Sequence, residues 1–336
     1  MMTSFYVNLC IEVRDFLKGF NVKIHEYFRD MYSELIQYPR WFLMRKMGRF
    51  HGIRRYLSED FSGQSIVPDM LLKEKSSHLK CLDSASFVAD RLREFGIYQG
   101  ILLDNYVVEK IKQFALENPC YANRDPSCGF LLSSLEIASN HIEKEILRAN
   151  YYNLEGQCEI VSALKTDPIL RKIAALYLQT TPVHVSSILW WSFPANSNLL
   201  QKSKSAQVFH CDLDDFRFLK FFFYLTDVDT ESGPHIFIQG SHIKKPFFRQ
   251  LLRGRASEAW LQKYYSPEEI ISICGSAGFG FVEDTYGHHK GTSPKSKRRL
   301  ILQIEYASHD YGNLHDMMDE RLLKQLALPS DLNSCH

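Results

Sequence analysis

The spacing of apolar residues changes after Thr181, and this change constrains the fold more than any other feature of the sequence. Before it, in 167–179, apolar residues recur every three or four positions, which predicts an amphipathic helix. After it, short runs are rich in β-branched and aromatic residues and are bounded by proline, aspartate and glycine, which predicts strands. The predicted strands are 183–193, 207–213, 216–228, 234–239, 278–284 and 299–307.

A helical lead-in followed by several short strands is typical of an α+β protein. We expect the strands to form a double-sheet jelly roll, mainly β, with helices packed on its outside. Within the lead-in, 92–119 is expected to form helix, turn and helix, with Asp104 capping the second helix. The predicted organisation is a helical, basic extension over 1–83, a jelly-roll domain over 84–310 with a helical insertion at about 244–271, and a tail over 311–336.

Composition excludes several classes of protein. The 40 Lys and Arg residues barely exceed the 39 Asp and Glu residues, so the chain lacks the positive excess that nucleic-acid binding requires. No run of about 18 apolar residues is present, which predicts no transmembrane helix. The N-terminus carries acidic residues and no small-residue cleavage site, so it is not expected to be a secretory signal. Eight scattered cysteines without a C-x-x-C pair predict free thiols and a cytoplasmic protein.

One segment, 40–55, is basic and aromatic and contains no acidic residue. We expect a solvated helix face whose aromatic residues pack on the main domain. The alternative is contact with an anionic membrane surface or with a protein partner.

The motif His210-Cys211-Asp212 lies in one of the predicted strands. Side chains alternate along a strand, so His210 and Asp212 are expected on one face, about 7 Å apart at Cα, with Cys211 on the other. A later histidine, His288 or His289, can supply a third ligand. Two histidines and a carboxylate form the facial triad of non-haem Fe(II) oxygenases, although His-x-Asp alone is a weak signal.

An arginine pair begins the last predicted strand, about ten residues after these histidines. The planar guanidinium group binds a carboxylate through two hydrogen bonds, which a lysine cannot do. An arginine that reaches into the pocket beside the metal would suit a dicarboxylate such as 2-oxoglutarate. Strand alternation allows only one of Arg298 and Arg299 to do so, and Arg299 is favoured because Leu300 follows it and begins the buried run.

Several segments occur in the order found in one enzyme family: LREFGIYQGILL, FHCDLDDFRFLKFFFYLTDVD, GPHIFIQGSH, DTYGHHKG and RRLILQIEY. With them, the region 84–307 resembles the phytanoyl-CoA dioxygenase (PhyH) family of Fe(II)/2-oxoglutarate oxygenases. The resemblance implies a double-stranded β-helix core, Fe(II) as cofactor, and 2-oxoglutarate and O2 as cosubstrates. It also implies hydroxylation of a C–H bond in a small-molecule or lipid-like substrate, with release of succinate and CO2.

The resemblance implies roles for individual residues. His210, Asp212 and His289 would bind the iron, and Arg299 would bind the far carboxylate of 2-oxoglutarate. His289 is preferred to His288 because the Lys-Gly pair that follows it matches the turn of the family. Halogenating relatives carry a small residue in place of this aspartate, so the resemblance favours hydroxylation.

The chain also departs from the family pattern, because Gly291 stands where some members have a hydroxyl that helps to hold 2-oxoglutarate. Thr292, one residue later, is a candidate replacement. Gln207 and Lys220 are further candidates for pocket contacts, and the alternative for Lys220 is a place on the rim.

The substrate is less constrained. The basic insertion 243–256 would attract an anionic group if it overhangs the pocket, and otherwise it is a solvated face. The alternative function is a non-catalytic jelly roll that binds or scaffolds and retains a metal site. Zinc or another divalent ion is also compatible with the ligand set, because ligand affinity alone does not select iron.

Overall fold

The computed structural model describes residues 31–60, 78–195, 207–251, 255–312 and 317–327. The contacts divide the chain into two units, with the division between Met47 and Gly48. In the first unit, helix α1 spans Pro39–Met47, and Arg45 forms an ion pair of 2.9 Å with Glu34. The domain boundary expected at residue 83, and the contact of 40–55 with a membrane or partner, stay predictions.

The second unit is an α+β structure, which confirms the predicted fold class. Its strands are β1 (Leu79–Cys81), β2 (Ile97–Leu103), β3 (Cys120–Ala122), β4 (Gly129–Phe130), β5 (Arg148–Asn150), β6 (Val183–Ser192), β7 (Phe218–Tyr224), β8 (His235–Ile238), β9 (Ile270–Ile273), β10 (Phe279–Glu283), β11 (His289–Gly291) and β12 (Arg299–Ala307). Its helices are α2 (His51–Asp60), α3 (Ala85–Phe95), α4 (Asn105–Glu117), α5 (Leu135–Ile142), α6 (Leu154–Gln157), α7 (Glu159–Leu164), α8 (Pro168–Leu178), α9 (Phe247–Leu251) and α10 (Glu258–Leu261). Short 3-10 helices lie at Leu132–Ser134, Pro267–Glu269 and Glu320–Leu322.

Two antiparallel sheets form the jelly roll. The large sheet has the order β1-β2-β10-β7-β12-β6-β5-β3-β4, and the small sheet has the order β11-β8-β9. A single bridge between His210 and His289 continues the small sheet beyond β11. From β6 onward the chain passes repeatedly between the two sheets, and the strands that pair within one sheet are distant in sequence. This alternation is the topology of a double-stranded β-helix.

Strand β12 shows how the sheet separates core from cavity. All nine of its residues are buried, because helices cover one face of the large sheet and the interior of the jelly roll lies on the other. Leu300, Leu302 and Ile304 pack in the main core with residues of the helices, such as Ile173 of α8. The alternate residues of the strand point to the interior.

The segment 97–103 differs from the expected turn. Helix α3 ends at Phe95, and its C-cap residue, Gly96, has a φ of 78°. The following residues form β2, which pairs with both β1 and β10. The apolar run Ile-Tyr-Gln-Gly-Ile-Leu-Leu is too short for periodicity to separate strand from helix, and β10 lies about 180 positions further along the chain. Asp104 occupies the N-cap position of α4, but its side chain makes no capping hydrogen bond.

Two further segments are less regular than expected. The predicted strand 207–213 forms only the bridge at His210. The predicted helical insertion contains the short helices α9 and α10 and a 3-10 turn, and its last residues form strand β9 of the small sheet. Helix α8 agrees with its prediction, and Asp167 caps it by accepting a hydrogen bond from the Ile169 amide.

The described part of the chain contains no helix that is long and apolar enough to cross a bilayer. The cysteines among the described residues carry free thiols rather than disulfides.

Candidate metal centre and its cavity

Two histidines and one aspartate meet inside the jelly roll. The ligand atoms of His210, Asp212 and His289 all lie within 4.8 Å of one another. Nε2 of His210 is 3.7 Å from Oδ1 of Asp212, and Nε2 of His289 is 3.6 Å from Oδ2. The backbone fixes this convergence, because His210 and His289 exchange both N–H to O=C bonds at 3.0 Å and the Asp212 amide donates to the Thr285 carbonyl at 2.8 Å.

Each imidazole is oriented by a backbone carbonyl. Nδ1 of His210 lies 2.9 Å from the Val208 oxygen, and Nδ1 of His289 lies 3.0 Å from the Gly287 oxygen. A carbonyl only accepts hydrogen bonds, so in each ring Nδ1 carries the proton and the lone pair of Nε2 faces Asp212. Burial lowers the pKa of both histidines, that of His289 to about 4, which keeps the rings in the neutral form that binds metals.

The residues next to the ligands point the other way. Cys211 and His288 face each other on the opposite side, with Sγ 3.1 Å from Nδ1. The His288 ring packs against Tyr265 and Trp260 at centroid distances of 5.8 and 6.1 Å. Of the two adjacent histidines, the structure therefore brings His289 to the cluster and places His288 in a separate packed layer.

Lys220 lies in the cavity, not on its rim. Its Nζ donates to Oδ2 of Asp212 at 2.8 Å and to Oδ2 of Asp214 at 2.7 Å, and it is 3.7 Å from Oε2 of Glu305. Burial alone would lower the pKa of Lys220, but Asp212 and the two other carboxylates together raise it well above its ordinary value. Burial raises the pKa of Glu305. Sequence reasoning missed Asp214 and Glu305, because their partner lies on another strand.

Arg299 is buried at the start of β12 and lines the cavity. Its guanidinium donates to the Gly233 carbonyl and, at 3.4 Å, to the Ser192 hydroxyl, while its Nε has no hydrogen-bond partner among the described residues. No described carboxylate forms an ion pair with it. Arg298 lies on the other face of the sheet, with Cζ 5.3 Å from the centre of the Trp191 ring.

The cluster, Lys220 and Arg299 share one cavity of about 320 Å³. Gln207 also lines it, with Oε1 accepting a hydrogen bond of 2.7 Å from Ser293. Thr292 is not brought to the cavity, because its hydroxyl donates to the Pro234 carbonyl at 2.7 Å.

Two basic residues of the insertion, Lys245 and Arg249, do not line this cavity, whereas Arg255 lies close enough to the cluster for Asp212 to raise its pKa. The Lys245 ammonium is buried and donates to the Tyr286 carbonyl, and the Arg249 guanidinium lies 4.8 Å from the centre of the Trp260 ring. Arg253, four residues after Arg249, lies outside the described residues.

A buried pair behind the cluster was also missed. Nε2 of His235 lies 2.8 Å from Oε1 of Glu283, and the His235 ring stacks on that of His289 at 5.6 Å. Burial raises the pKa of Glu283 to about 8 and lowers that of His235 to about 3, so the pair is neutral. Two more arginines missed from the sequence, Arg124 and Arg148, line the same cavity.

Comparisons with known proteins give similarities of fold. No family model matches the chain, and no curated protein matches it. Among solved structures, EctD from S. alaskensis with 2-oxoglutarate and 5-hydroxyectoine is similar at 17% identity and a TM-score of 0.49, covering 71% of this chain and 80% of that one. HygX from Streptomyces hygroscopicus with nickel and 2-oxoglutarate is similar at 14% identity and 0.45, covering 66% and 86%. The non-heme alpha ketoglutarate dependent epimerase SnoN from nogalamycin biosynthesis is similar at 14% and 0.44, covering 66% and 82%.

Proposed function

We propose that the chain is an Fe(II)- and 2-oxoglutarate-dependent oxygenase of the PhyH type that hydroxylates a C–H bond of a small molecule and releases succinate and CO2. One observation carries the proposal. Two neutral imidazoles and a carboxylate converge in the same cavity as a buried arginine that forms no ion pair with a described carboxylate.

The residues present fit the metal. His210, Asp212 and His289 would bind it through two nitrogens and one oxygen, and the Nε2 lone pairs already face the carboxylate. Three protein ligands leave coordination positions open, and all three residues line the cavity. When bound, iron supplies the activation of O2 that side chains alone cannot provide.

The residues present also fit 2-oxoglutarate. A buried guanidinium without an anionic partner is costly, and the Nε of Arg299 lacks any hydrogen-bond partner among the described residues. The far carboxylate of 2-oxoglutarate would supply both the charge and the acceptors. Ser192, next to Arg299 on β6, offers a hydroxyl beside it.

Other residues of the cavity hold the metal ligands in place or exclude water. Lys220 holds Oδ2 of Asp212, which fixes the carboxylate plane before any metal binds. Trp190, Phe222 and Ile301 form apolar walls that keep water away from the reacting groups. The carboxylate of Asp212 occupies the place that a halide would need, which favours hydroxylation.

Succinate formation tests the proposal. Aerobic incubation with Fe(II) and 2-oxoglutarate is expected to yield succinate even without substrate, at a slow rate, and Arg299→Gln is expected to abolish it at low 2-oxoglutarate concentration. Arg298→Gln is the matched control, since it removes the adjacent guanidinium from the opposite face. No succinate from the unaltered protein would favour a non-catalytic jelly roll that retains a metal site.

A further inference from the structure

We propose that Arg148 and Arg124 form a second anion subsite, which binds a carboxylate or phosphate group of the substrate beside the Arg299 position. The proposal rests on the proposed function, because it assigns Arg299 to the cosubstrate and the other two arginines to the molecule that is hydroxylated. The shared chemistry is an oxyanion with at least two oxygens that accept hydrogen bonds.

Sheet register places two of these arginines side by side. Arg148 of β5 and Arg299 of β12 both pair with Ser192 of β6, one from each side. Residues directly opposite in a sheet point to the same face, so both side chains enter the interior. Two inter-strand spacings separate their Cα atoms by about 10 Å, which is room for two anions rather than one.

The two guanidinium groups also lean in different directions. Arg299 donates to the Gly233 carbonyl, whereas Nε of Arg148 donates to Oδ1 of Asn150 at 2.7 Å, two residues along its own strand. The Arg148 guanidinium stacks on Trp190 with Cζ 4.1 Å from the ring centre. The stacked ring holds the guanidinium plane and leaves its edge to bind a ligand.

Arg148 is a buried cation without a counter-ion in the described part of the chain. The residue is 6% exposed, the only hydrogen bond of its side chain among the described residues is the one to Asn150, and it forms no ion pair there. Burial, Arg124 and Arg299 lower its pKa well below the ordinary value, Tyr152 raises it, and no carboxylate contributes. Buried charges in proteins are normally paired, so this cation calls for an anion from outside the chain.

Arg124 stands at the exposed side of the same cavity, on the turn between β3 and β4. It and Asn123 adopt positive φ angles of 67° and 50°, which non-glycine residues rarely adopt. The turn is held by the Asn123 amide, which donates to the Arg148 carbonyl at 2.7 Å, and by the Tyr152 hydroxyl, which donates to the Arg124 carbonyl at 2.8 Å. The strained turn therefore fixes Arg124 next to Arg148.

The acidic groups of the cavity form no ion pair with these arginines in the described structure. Asp212, Asp214 and Glu305 lie around Lys220, and Asp212 acts on Arg124 only at a distance, raising its pKa. The volume of about 320 Å³ is at the small end of ligand sites, which commonly span about 300–1,000 Å³. The lining favours a compact acid with an apolar or aromatic part against Trp190 over a long acyl chain.

Binding of simple probes tests the subsite. The full-length protein, loaded with Mn(II) and saturated with 2-oxoglutarate, is titrated calorimetrically with benzoate, phenyl phosphate and the neutral benzamide. At least one of the two anions is expected to bind and benzamide is not, and the tighter anion identifies carboxylate or phosphate as the group preferred. Arg148→Gln is expected to weaken anion binding by about tenfold or more, from the loss of a charged hydrogen-bond pair.

The variants separate this subsite from the cosubstrate site. Arg148→Gln should leave the dissociation constant of 2-oxoglutarate, measured from the anaerobic Fe(II) charge-transfer band, within about twofold, and Arg298→Gln should change neither ligand. Arg124→Gln, at an exposed position, gives the same test without risk to folding and should also weaken the anions.

Three results would overturn the subsite: no anion binds, benzamide binds as tightly as benzoate, or Arg148→Gln weakens 2-oxoglutarate as much as the probes. If the probes bind as expected but the protein gives no succinate with iron, the proposed function fails and the anion subsite stands.

Discussion

The two sides of the cavity differ in whether their buried cations have counter-ions within the chain. On one side, which we call the paired side, Lys220 donates hydrogen bonds to Asp212 and Asp214, so the chain supplies its own counter-ions. Glu305, whose pKa is raised by burial, lies beside them. On the other side, which we call the unpaired side, Arg148 and Arg299 are buried without an ion pair in the described structure. A buried charge is costly when it has no partner. The protein therefore neutralises Lys220 with its own side chains, whereas the two arginines need anions from bound ligands.

The largest effect is expected on metal affinity, from substitution of Asp212, which belongs to the paired side and to the metal cluster. Asp212→Ala removes one of three ligand atoms and should weaken Fe(II) binding by more than about 100-fold, beyond the 10–100-fold typical of residues around a ligand set. Succinate formation should fall with it. Equilibrium dialysis with Fe(II) under anaerobic conditions measures the affinity. Unchanged affinity would remove Asp212 from the metal site.

Replacing Lys220, the cation of the paired side, should lower the free energy of unfolding. Lys220→Met leaves the buried carboxylates without their cation, and a broken buried pair typically costs about 3–5 kcal/mol. Urea unfolding of the metal-free protein measures the loss. Adding Mn(II) should restore more stability to Lys220→Met than to the unaltered protein, because the ion replaces the missing positive charge beside Asp212. Equal stabilisation of both would contradict the electrostatic role of Lys220.

Replacing a cation of the unpaired side should lower ligand affinity and leave the free energy of unfolding nearly unchanged. Arg299→Gln removes a buried cation that the chain itself does not neutralise, so the metal-free protein should lose little stability. Its affinity for 2-oxoglutarate should fall by about 10- to 100-fold, the usual value of a charge-assisted hydrogen-bond pair. A large loss of stability with unchanged affinity would show that Arg299 is structural.

The last effect depends on pH and concerns the neutral pair behind the cluster, Glu283 and His235. Because the pKa of Glu283 is raised to about 8 in the folded chain, its contribution to stability is fully present below its ordinary pKa of 4.5 and is lost as pH rises toward 8. Glu283→Gln keeps the shape and does not titrate. Its stability relative to the unaltered protein should therefore rise by up to about 1.4 kcal/mol per pH unit across that window. Urea unfolding with a chelator present measures the slope, and a flat difference would mean that Glu283 is already ionised.

The features that could be predicted from the sequence depend on the alternation of side chains along a strand. The strands 183–192 and 299–307 are long and β-branched, and their period gives both the strand and the face of each side chain. The same alternation places His288 and His289 on opposite faces, and likewise Arg298 and Arg299, whereas the preference for His289 came from the resemblance to the family. It also predicts that Cys211 and its two neighbours face opposite ways, although 207–213 forms a bridge and not a regular strand.

What sequence reasoning missed depends on contacts between distant segments. The partners of Lys220 lie on a loop and on another strand, so no local sequence pattern predicts these contacts. Arg148 belongs to a strand of three residues, too short to show a period, and it enters the cavity only because β5 pairs with β6. Thr292 shows that a position close in sequence to a ligand need not place its side chain in the cavity, because its hydroxyl donates to the Pro234 carbonyl.

The most direct test of the metal and cosubstrate assignment is anaerobic absorbance titration of the protein with Fe(II) and 2-oxoglutarate. We expect a weak visible charge-transfer band that saturates at one equivalent of each. The band should be lost in Asp212→Ala, need more 2-oxoglutarate in Arg299→Gln and be unchanged in Arg298→Gln. Absence of the band in the unaltered protein, or an identical band in Asp212→Ala, would contradict the assignment.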